Sequence, residues 1–223
     1  MRDEEILRAA LTVFGQRGQL MRIEDVTVAV GIGKGTLYRH YDSRLNLLRA
    51  ALAYGVRELQ ARAVAARDAV RATDGGHEAE LTAVITELAA LNARRDAVSP
   101  AVLARLRTCE EWPTGLDADA EPTAALEPLI AQWQGDGLLD ASETPAWITT
   151  MVLGAVNSPL CAAASDGNGS DSSADRADVA ARVSAMIRRA FPARCRRRYA
   201  GGRAAPSHRR RTTPTTSGKL TGL

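Results

Sequence analysis

The sequence predicts an all-α protein in which a three-helix N-terminal unit precedes a larger helical region. Ala, Leu, Arg and Glu recur along the 223 residues, whereas aromatic residues make up only 4% of the chain, a balance that favours helices over strands. Apolar residues repeat every three or four positions through most of the sequence. Clusters of glycine and proline interrupt this repeat and divide it into helices of ordinary length.

The first part of the chain divides into four predicted helices. Gly18 ends the first helix, and Gly31 and Gly33 enclose a tight turn before a very short third helix. Ser43 can cap the fourth helix, and the helical pattern continues from there to about residue 72. A short helix joined tightly to its predecessor forms a helix-turn-helix unit. The predicted helices are 3–17, 23–30, 34–41 and 44 onward.

Five further helices are predicted after a break at 73–76. Ser99 and Pro100 have the cap-then-proline pattern of a helix start, Pro122 opens another helix, and Ser142 can cap a third. The predicted helices are 77–95, 100–107, 122–134, 143–164 and 174–191, with loops at 109–122 and 165–173. We expect three parts, namely an N-terminal unit at 1–48, a helical body at 49–192 and a polar tail at 193–223.

Charge is distributed unevenly, although the net charge is only +3. Of the 29 Lys and Arg residues, 12 follow residue 178, where there is no Asp or Glu, so residues 1–178 carry 17 cations against 26 acids. Within that acidic part, residues 31–49 form a local cationic patch, which points to a polyanionic partner. The arginine-rich tail is predicted to be disordered, either as a solvated extension or as a second contact to phosphate.

The predicted third helix separates polar from apolar side chains. Leu37 and Tyr41 fall on the side that would face the other helices, while cations and hydroxyl groups fall on the opposite side. A short helix of this kind is typical of one that enters the major groove of DNA. We therefore expect double-stranded DNA as a partner, with contacts from Lys34, Thr36, Tyr38, Arg39, His40 and Arg44.

The segments EILRAALTVFGQRG and IEDVTVAVGIGKGTLYRHYDSRLNLL resemble the N-terminal domain of the TetR family of transcriptional regulators. The resemblance covers residues 4–56 and is most specific at GTLYRHY, residues 35–41. It implies phosphate contacts for Tyr38 and His40, a homodimer with two DNA-binding domains, and a helical C-terminal domain that binds a small-molecule effector. In the family, effector binding moves the DNA-binding domains apart and releases the operator.

The other four candidates have roles that follow from their chemistry. Arg39 can engage guanine O6 and N7 together, and Thr36 can touch a base edge. Lys34 is expected to reach a phosphate or a guanine, and Arg44 to contact the phosphate backbone and fix the docking angle. The alternative for both Lys34 and Arg44 is an ordinary solvated side chain. Gly33 stands where the family usually has a Ser or Thr cap.

The helical body offers candidates for an effector site. Binding pockets are few and mostly apolar, so large apolar side chains are candidates, although such side chains more often belong to the core. Arg105 could orient an acidic group of an effector or simply face solvent. The candidates are Arg105, Cys109, Trp112, Trp133, Trp147 and Met151.

The last two predicted helices carry more apolar residues than a final helix pair in a monomer usually needs. We expect them to pack against their twofold mates as a four-helix bundle, which would make the protein a homodimer. The residues concerned are Trp147, Met151, Val152, Val156, Val179, Val183, Met186 and Ile187.

The sequence pattern holds no evident catalytic or metal-binding set. His40, His77 and His208 are the only histidines, and none has metal spacing with a cysteine or a carboxylate cluster. The three cysteines lie far apart and predict neither a disulfide framework nor a zinc site. We therefore expect no enzymatic activity and no cofactor. The charged N-terminus and the lack of a long apolar stretch favour a cytoplasmic protein without a membrane segment.

Together these features favour a ligand-responsive, sequence-specific transcriptional regulator, most simply a repressor that a small-molecule effector releases from its operator. The alternative is a helical small-molecule-binding protein whose operator binding is weak or lost. The cationic patch at 34–44 argues against that alternative.

Overall fold

The computed structural model describes residues 3–107, 121–158 and 172–192. These residues form nine α-helices and two 3₁₀ helices, with no β-strand among them, which confirms the predicted all-α class. The α-helices are α1 (Asp3–Arg17), α2 (Ile23–Val30), α3 (Lys34–His40), α4 (Arg44–Arg71), α5 (His77–Ala93), α6 (Pro100–Arg107), α7 (Glu127–Gly135), α8 (Pro145–Val156) and α9 (Ser172–Ala190). The 3₁₀ helices are Gly18–Leu20 and Pro122–Ala125.

The predicted ends of the first four helices agree with the observed ends to within one residue. Gly31 adopts a left-handed backbone (φ 74°) and ends α2, because its amide and that of Ile32 both donate to the carbonyl of Thr27. Ser43 caps α4 through a hydrogen bond of 3.1 Å from the Asn46 amide to its hydroxyl oxygen. From there α4 runs unbroken to Arg71, so the expected domain boundary at residue 48 falls inside it.

The N-terminal unit is built on the contact between α1 and α4. Apolar side chains of both helices meet there and are fully buried, Ile6 and Leu11 of α1 and Leu47 of α4 among them. Arg8 fastens the outer edge of this contact, because its guanidinium donates to the Tyr54 hydroxyl at 2.9 Å and pairs with a Glu58 carboxylate oxygen at 3.1 Å. Helix α2 packs on α1, and α3 packs on α2.

Helix α6 joins the N-terminal unit to the body through a close approach at Gly55. A Cβ atom on Gly55 would lie 2.5 Å from Leu103 Cδ2 and 3.1 Å from Leu11 Cδ1. The first distance is shorter than Cβ contacts in proteins and the second is tighter than most of them, so a larger residue at this position would force Leu103 and Leu11 to move. Arg105 of α6 also donates to the Gly15 carbonyl of α1 at 3.4 Å.

The body is organised around α5, which packs against α4 on one side and α9 on the other. A buried carboxylate ties this helix to two others. Glu80 is 2% exposed, receives hydrogen bonds of 2.8 and 3.1 Å from Arg71 at the end of α4, and receives one of 2.9 Å from Trp133 Nε1 on α7. Burial works to raise the pKa of Glu80, but the hydrogen bonds from Arg71 and Trp133 outweigh it and lower the pKa.

Two predicted helices differ from the observed ones. The helix expected at 122–134 is divided, because Pro128 lacks the amide hydrogen that would continue the Pro122–Ala125 turn into α7. The helix expected at 143–164 begins at Pro145 and ends at Val156. Thr144, and not Ser142, caps it by accepting a hydrogen bond of 3.2 Å from the Trp147 amide.

The early end of α8 also has a physical cause. The Asn92 amide group of α5 donates to the Val156 carbonyl at 3.3 Å and to the Asn157 side-chain oxygen at 2.9 Å, so a final carbonyl of α8 is satisfied by a side chain. The predicted loops at 109–120 and 165–171, the predicted helical residues 159–164 and the predicted tail lie outside the described residues.

The two C-terminal helices turn fewer apolar side chains outward than expected. Ile187, Val152 and Val156 are each 1% exposed and belong to the core of the protomer, so their assignment to a dimer contact was wrong. Trp147 and Met186 are 49% and 47% exposed, while Met151, Val179 and Val183 are half-buried. Within the described part of the chain, every helix is too short or too polar to span a lipid bilayer.

We expect Glu80→Gln to lower the free energy of unfolding at pH 7 by about 2–3 kcal/mol, since it removes the charge from a buried ion pair whose partner Arg71 keeps some access to water. The lowered pKa of Glu80 makes this contribution complete above the ordinary carboxyl value of 4.5, and the contribution is lost as the pH falls through the lower value of the folded protein. Urea unfolding from pH 7 to pH 3 measures both effects.

The exposed Glu143 provides the control for this prediction, because Glu143→Gln changes the net charge equally without removing a buried pair. A difference between wild type and Glu80→Gln that stays constant down to pH 3 would contradict the assignment of the stability to an ionised Glu80.

Candidate DNA-binding surface and effector site

Helix α3 follows a tight turn and has one buried face and one exposed face. Gly33 adopts an extended backbone at the helix N-terminus and provides no side-chain cap, as expected from the sequence. Leu37 is fully buried and anchors the helix, and Tyr41 is half-buried beside it. Tyr38 is 41% exposed on the opposite side. The predicted separation of an anchoring face from an outward face is therefore present.

The Lys34 ammonium on the outward face is held by two neighbours. It forms an ion pair with the Glu24 carboxylate at the start of α2, and it lies 5.8 Å from the centre of the Tyr38 ring. The hydrogen bond between the two charged groups raises the pKa of Lys34 and lowers that of Glu24. Both side chains remain 55% exposed, so the ammonium stays within reach of a partner in solution.

The remaining candidates on α3 differ in how they are held. His40 Nδ1 lies 3.0 Å from a carboxylate oxygen of Asp3, at the first residue of α1. Thr36 is half-buried, whereas Arg39 is exposed. Within the described residues, the Arg39 guanidinium makes no hydrogen bond or ion pair, whereas Arg8, Arg17 and Lys34 each pair with a carboxylate. Arg39 is therefore available to a base or a phosphate without breaking a contact.

Arg44 is placed differently from a solvated arginine. Its guanidinium donates from Nε to the Met21 carbonyl at 3.1 Å and from Nη2 to the Gln19 carbonyl at 3.0 Å. These carbonyls belong to the turn between α1 and α2, so Arg44 ties that turn to the start of α4. The sequence alone did not reveal this structural role, because the contacts span 23 and 25 residues.

The effector candidates are not brought together. Trp133 is 1% exposed and its indole is engaged with Glu80, whereas Trp147 is half-exposed on α8 and Met151 packs against the core. Arg105 lies at the other end of the body, where it lines a groove of about 540 Å³ between α1 and the start of α6. Cys109 and Trp112 lie outside the described residues.

Thr149 is a candidate that the sequence analysis missed. Its side chain is fully buried within α8, and its hydroxyl has no hydrogen-bond partner among the described residues. An unsatisfied buried hydroxyl is unusual in a folded protein, so Thr149 is a candidate for contact with a water molecule or with a polar group of a ligand. A helical signal was available, because Thr149 shares a face with the buried Val152, Leu153 and Val156, three, four and seven positions later.

A short exposed helix, anchored by a leucine and following a tight glycine turn, defines the class of helix-turn-helix DNA-binding proteins. Residues 6–51 match the model of the family described as "Bacterial regulatory proteins, tetR family". The N-terminal domain therefore belongs to the tetR family, and the resemblance found in the sequence is confirmed. No curated protein matches the sequence significantly.

Solved structures share the fold over most of the chain. A structure described as the molecular basis for control of antibiotic production by bacterial hormones has a TM-score of 0.57 and 22% identity, covering 85% of this chain and 96% of its own. A protein described as a TetR-family regulator from Mesorhizobium loti MAFF303099 has a TM-score of 0.56 and 14% identity, with coverages of 85% and 96%.

A third structure, described as a tetR-family regulator from Shewanella sp. PV-4, has a TM-score of 0.57 and 16% identity, and it covers 86% of this chain and 98% of its own. At these identities the likeness establishes the fold. The helical body that follows the DNA-binding unit is therefore arranged as in regulators of this family.

Replacing Arg44 is expected to affect stability more than replacing Arg39. Arg44→Ala removes two hydrogen bonds from a charged donor and leaves two turn carbonyls without a protein partner, which should cost about 1–3 kcal/mol in unfolding free energy. Arg39→Ala should change it by less than about 0.5 kcal/mol, because its side chain is exposed and unpaired. Thermal unfolding followed by circular dichroism measures both, and equal melting temperatures for the two variants would contradict the role given to Arg44.

Proposed function

We propose that this protein is a ligand-responsive, sequence-specific transcriptional regulator that represses as a homodimer until a small-molecule effector releases it from its operator. The observation that carries the proposal is the outward face of α3, where Arg39 is exposed and unpaired within the described residues while Leu37 is fully buried. A helix anchored on one side, with a free guanidinium on the other, is suited to the major groove.

The contacts of α3 suggest a division of labour at the operator. Arg39 would read a base through its two parallel donors, with Thr36 beside it on the helix. Lys34, Tyr38 and His40 would contact phosphates on either side and set the position of the helix in the groove. Arg44, which holds the turn before α2, would in addition contact the phosphate backbone of the DNA.

The alternative, a helical small-molecule-binding protein without operator binding, is less well supported. The alternative does not account for the way these side chains are grouped, with the Tyr38 ring 41% exposed beside the Lys34 ammonium on a seven-residue helix. An exposed arginine is ordinary by itself, so it is the grouping of Lys34, Tyr38 and Arg39 away from the buried Leu37 that favours DNA binding.

An effector site in the body is supported by two independent points. One protein of the same fold is described in connection with control of antibiotic production by bacterial hormones, and we infer that this chain also responds to a small molecule. The buried hydroxyl of Thr149, which has no partner among the described residues, supports a role for α8 in lining that site. The effector would offer a hydrogen-bonding group to Thr149 and an apolar surface to its neighbours.

Dimerisation through α8 and α9 is supported by the two large apolar side chains that these helices leave exposed, Trp147 and Met186. A twofold four-helix arrangement would cover both and would place two copies of α3 at a fixed spacing. The spacing would match operator half-sites separated by about one helical turn of DNA.

Binding to the DNA upstream of its own gene tests the proposal most directly. We expect Arg39→Ala to weaken operator binding by about 1–3 kcal/mol and to relax the preference at one base position. Arg57→Ala is the matched control, because Arg57 is exposed on α4 about 20 Å further along the helix than Arg44. Gel shifts at two salt concentrations give both affinities. Equal losses on operator and random DNA would show that Arg39 does not read sequence.

The dimer contact is tested by two adjacent residues of α9. Met186→Glu places a charge on the exposed face and should give a folded monomer with weak operator binding, since each half-site alone supplies only part of the affinity. Ile187→Glu buries a charge within the protomer and should prevent folding. Light scattering and circular dichroism separate the two outcomes. A Met186→Glu protein that stays dimeric would exclude this face as the contact.

The role of Thr149 is tested by Thr149→Val, which keeps the shape and removes the hydroxyl. In the absence of effector, the free energy of unfolding should stay the same or rise by up to about 1 kcal/mol, because an unsatisfied polar group leaves the core. Release of the operator should then require more of any compound found to dissociate the wild-type complex. A clear loss of stability would show that the hydroxyl is satisfied in the protein itself.

A further inference from the structure

The ion pair between Glu24 and Lys34 has a consequence for how the protein distinguishes one DNA sequence from another. Glu24 lies in the first turn of α2, and its carboxylate contacts the ammonium that opens α3. Both groups are 55% exposed, so a phosphate that approaches Lys34 meets the carboxylate as well. Any DNA, whatever its sequence, must therefore displace or tolerate a negative charge at this end of α3.

The carboxylate next to Glu24 in the sequence is occupied in a way that serves the fold. Asp25, the neighbour of Glu24, accepts a hydrogen bond of 2.8 Å from the Arg22 amide and pairs with Arg17 at 3.0 Å, so it caps α2 and ties it to α1. Among the described residues, the side-chain partner of Glu24 is Lys34 on α3. Glu24 also lies in the first turn of α2, where a negative charge favours the helix dipole, and its ion pair with Lys34 is what connects it to the proposed DNA surface.

We propose that Glu24 is a specificity-determining residue, which holds Lys34 in the unbound protein and repels phosphate, so that DNA without the correct bases is bound weakly. The proposal rests on the DNA-binding function proposed above. Sequence-independent binding depends almost entirely on phosphate contacts, and it loses most from a nearby carboxylate. On operator DNA the base contacts of Arg39 hold α3 in one register, in which the phosphates stay further from the carboxylate, so the penalty is smaller than on random DNA. Glu24 thus widens the ratio between operator and random-sequence affinity.

Glu24→Gln tests this proposal, because the amide has the same shape and no charge. We expect the affinity for a random-sequence duplex to rise about threefold to tenfold at low salt, and the salt slope to steepen by about one unit, as one further phosphate contact becomes effective. The affinity for an operator duplex selected by the wild-type protein from a random library should rise less, so the ratio of the two affinities falls. Fluorescence anisotropy across a salt series measures the affinity and the salt slope for each of the two duplexes.

Three further proteins complete the experiment, namely Glu143→Gln, Lys34→Met and the double variant Glu24→Gln/Lys34→Met. Glu143→Gln changes the net charge equally but lies in the loop before α8, and it should leave both affinities close to those of wild type. In the Lys34→Met background, Glu24→Gln should have a smaller effect on random DNA, because it no longer frees an ammonium and relieves only the direct repulsion of phosphate. The melting temperature of each variant is compared with wild type by circular dichroism.

Three outcomes would overturn the proposal. Glu24→Gln could behave like Glu143→Gln on random DNA, it could strengthen operator and random binding equally, or it could lower the melting temperature and weaken both, which would make Glu24 a tether between α2 and α3. A wild-type protein that selects no operator would contradict the proposed function instead. The random-duplex series would still reveal, in that case, whether Glu24 opposes phosphate binding.

Discussion

Helix α4 is the physical constraint on which the rest of this structure depends. Its 28 residues form one unbroken rod of about 42 Å, whose first turns complete the core of the DNA-binding unit and whose last turns support α5. The two parts of the protein therefore share a structural element and are not joined by a flexible linker. A rotation or tilt of the body can reach the N-terminal unit through this rod and through α6, which also contacts α1.

The end of α4 and the start of α4 are both held by arginines that act within the protein. Arg71 reaches Glu80 in the body, and Arg44 holds the turn carbonyls behind α2. Arg8 adds a third fixed point between them, through Tyr54 and Glu58. Hydrogen bonds from charged donors are stronger than neutral ones, and these lie at the positions where a shared helix would otherwise slide against its neighbours.

The electrostatics of the DNA-binding unit follow from the same arrangement. Much of its positive charge is used internally, so the surface is less basic than its composition suggests. Arg17 and Lys34 each face a carboxylate, whereas Arg39 faces solvent. Such a surface is poorly suited to unselective attachment and relies on a few well-placed donors. A weakly basic reading surface also agrees with the charge balance over residues 1–178, where acidic residues outnumber basic ones.

The sequence predicted the helices well because local signals mark their ends. Gly18, Gly31 and Ser43 each stop or start a helix through their own backbone or side chain, and nothing distant is needed. The start of α8 was placed too early because Ser142 and Thr144 are both good caps, and only the proline after Thr144 decides between them. Its end could not be predicted, since Asn92 supplies the terminating contact from another helix.

The side chains of the candidate sites were predicted less completely than the helices. That Leu37 is buried and Arg39 exposed follows from helical periodicity, because α3 is anchored on one face. The partners of Lys34 and Arg44 depend on how α2 and the preceding turn cross α3 and α4, which no local pattern records. Ile187 and Met186 are both large apolar residues, so the sequence does not distinguish them. Only the packing of α9 on α5 shows that Ile187 belongs to the core and that Met186 is exposed.

The missing side chain at residue 55 has a consequence for exchanging parts between regulators of this fold. Leu103 and Leu11 fill the space that a Cβ atom would occupy, so these three positions form one steric unit that spans α1, α4 and α6. A chimera that takes its DNA-binding unit from one protein and its body from another would divide this unit at the seam. Such a graft should fold only where glycine at the α4 position and a leucine of matching reach on α6 are transferred together, because a larger residue on either side would force the two parts apart.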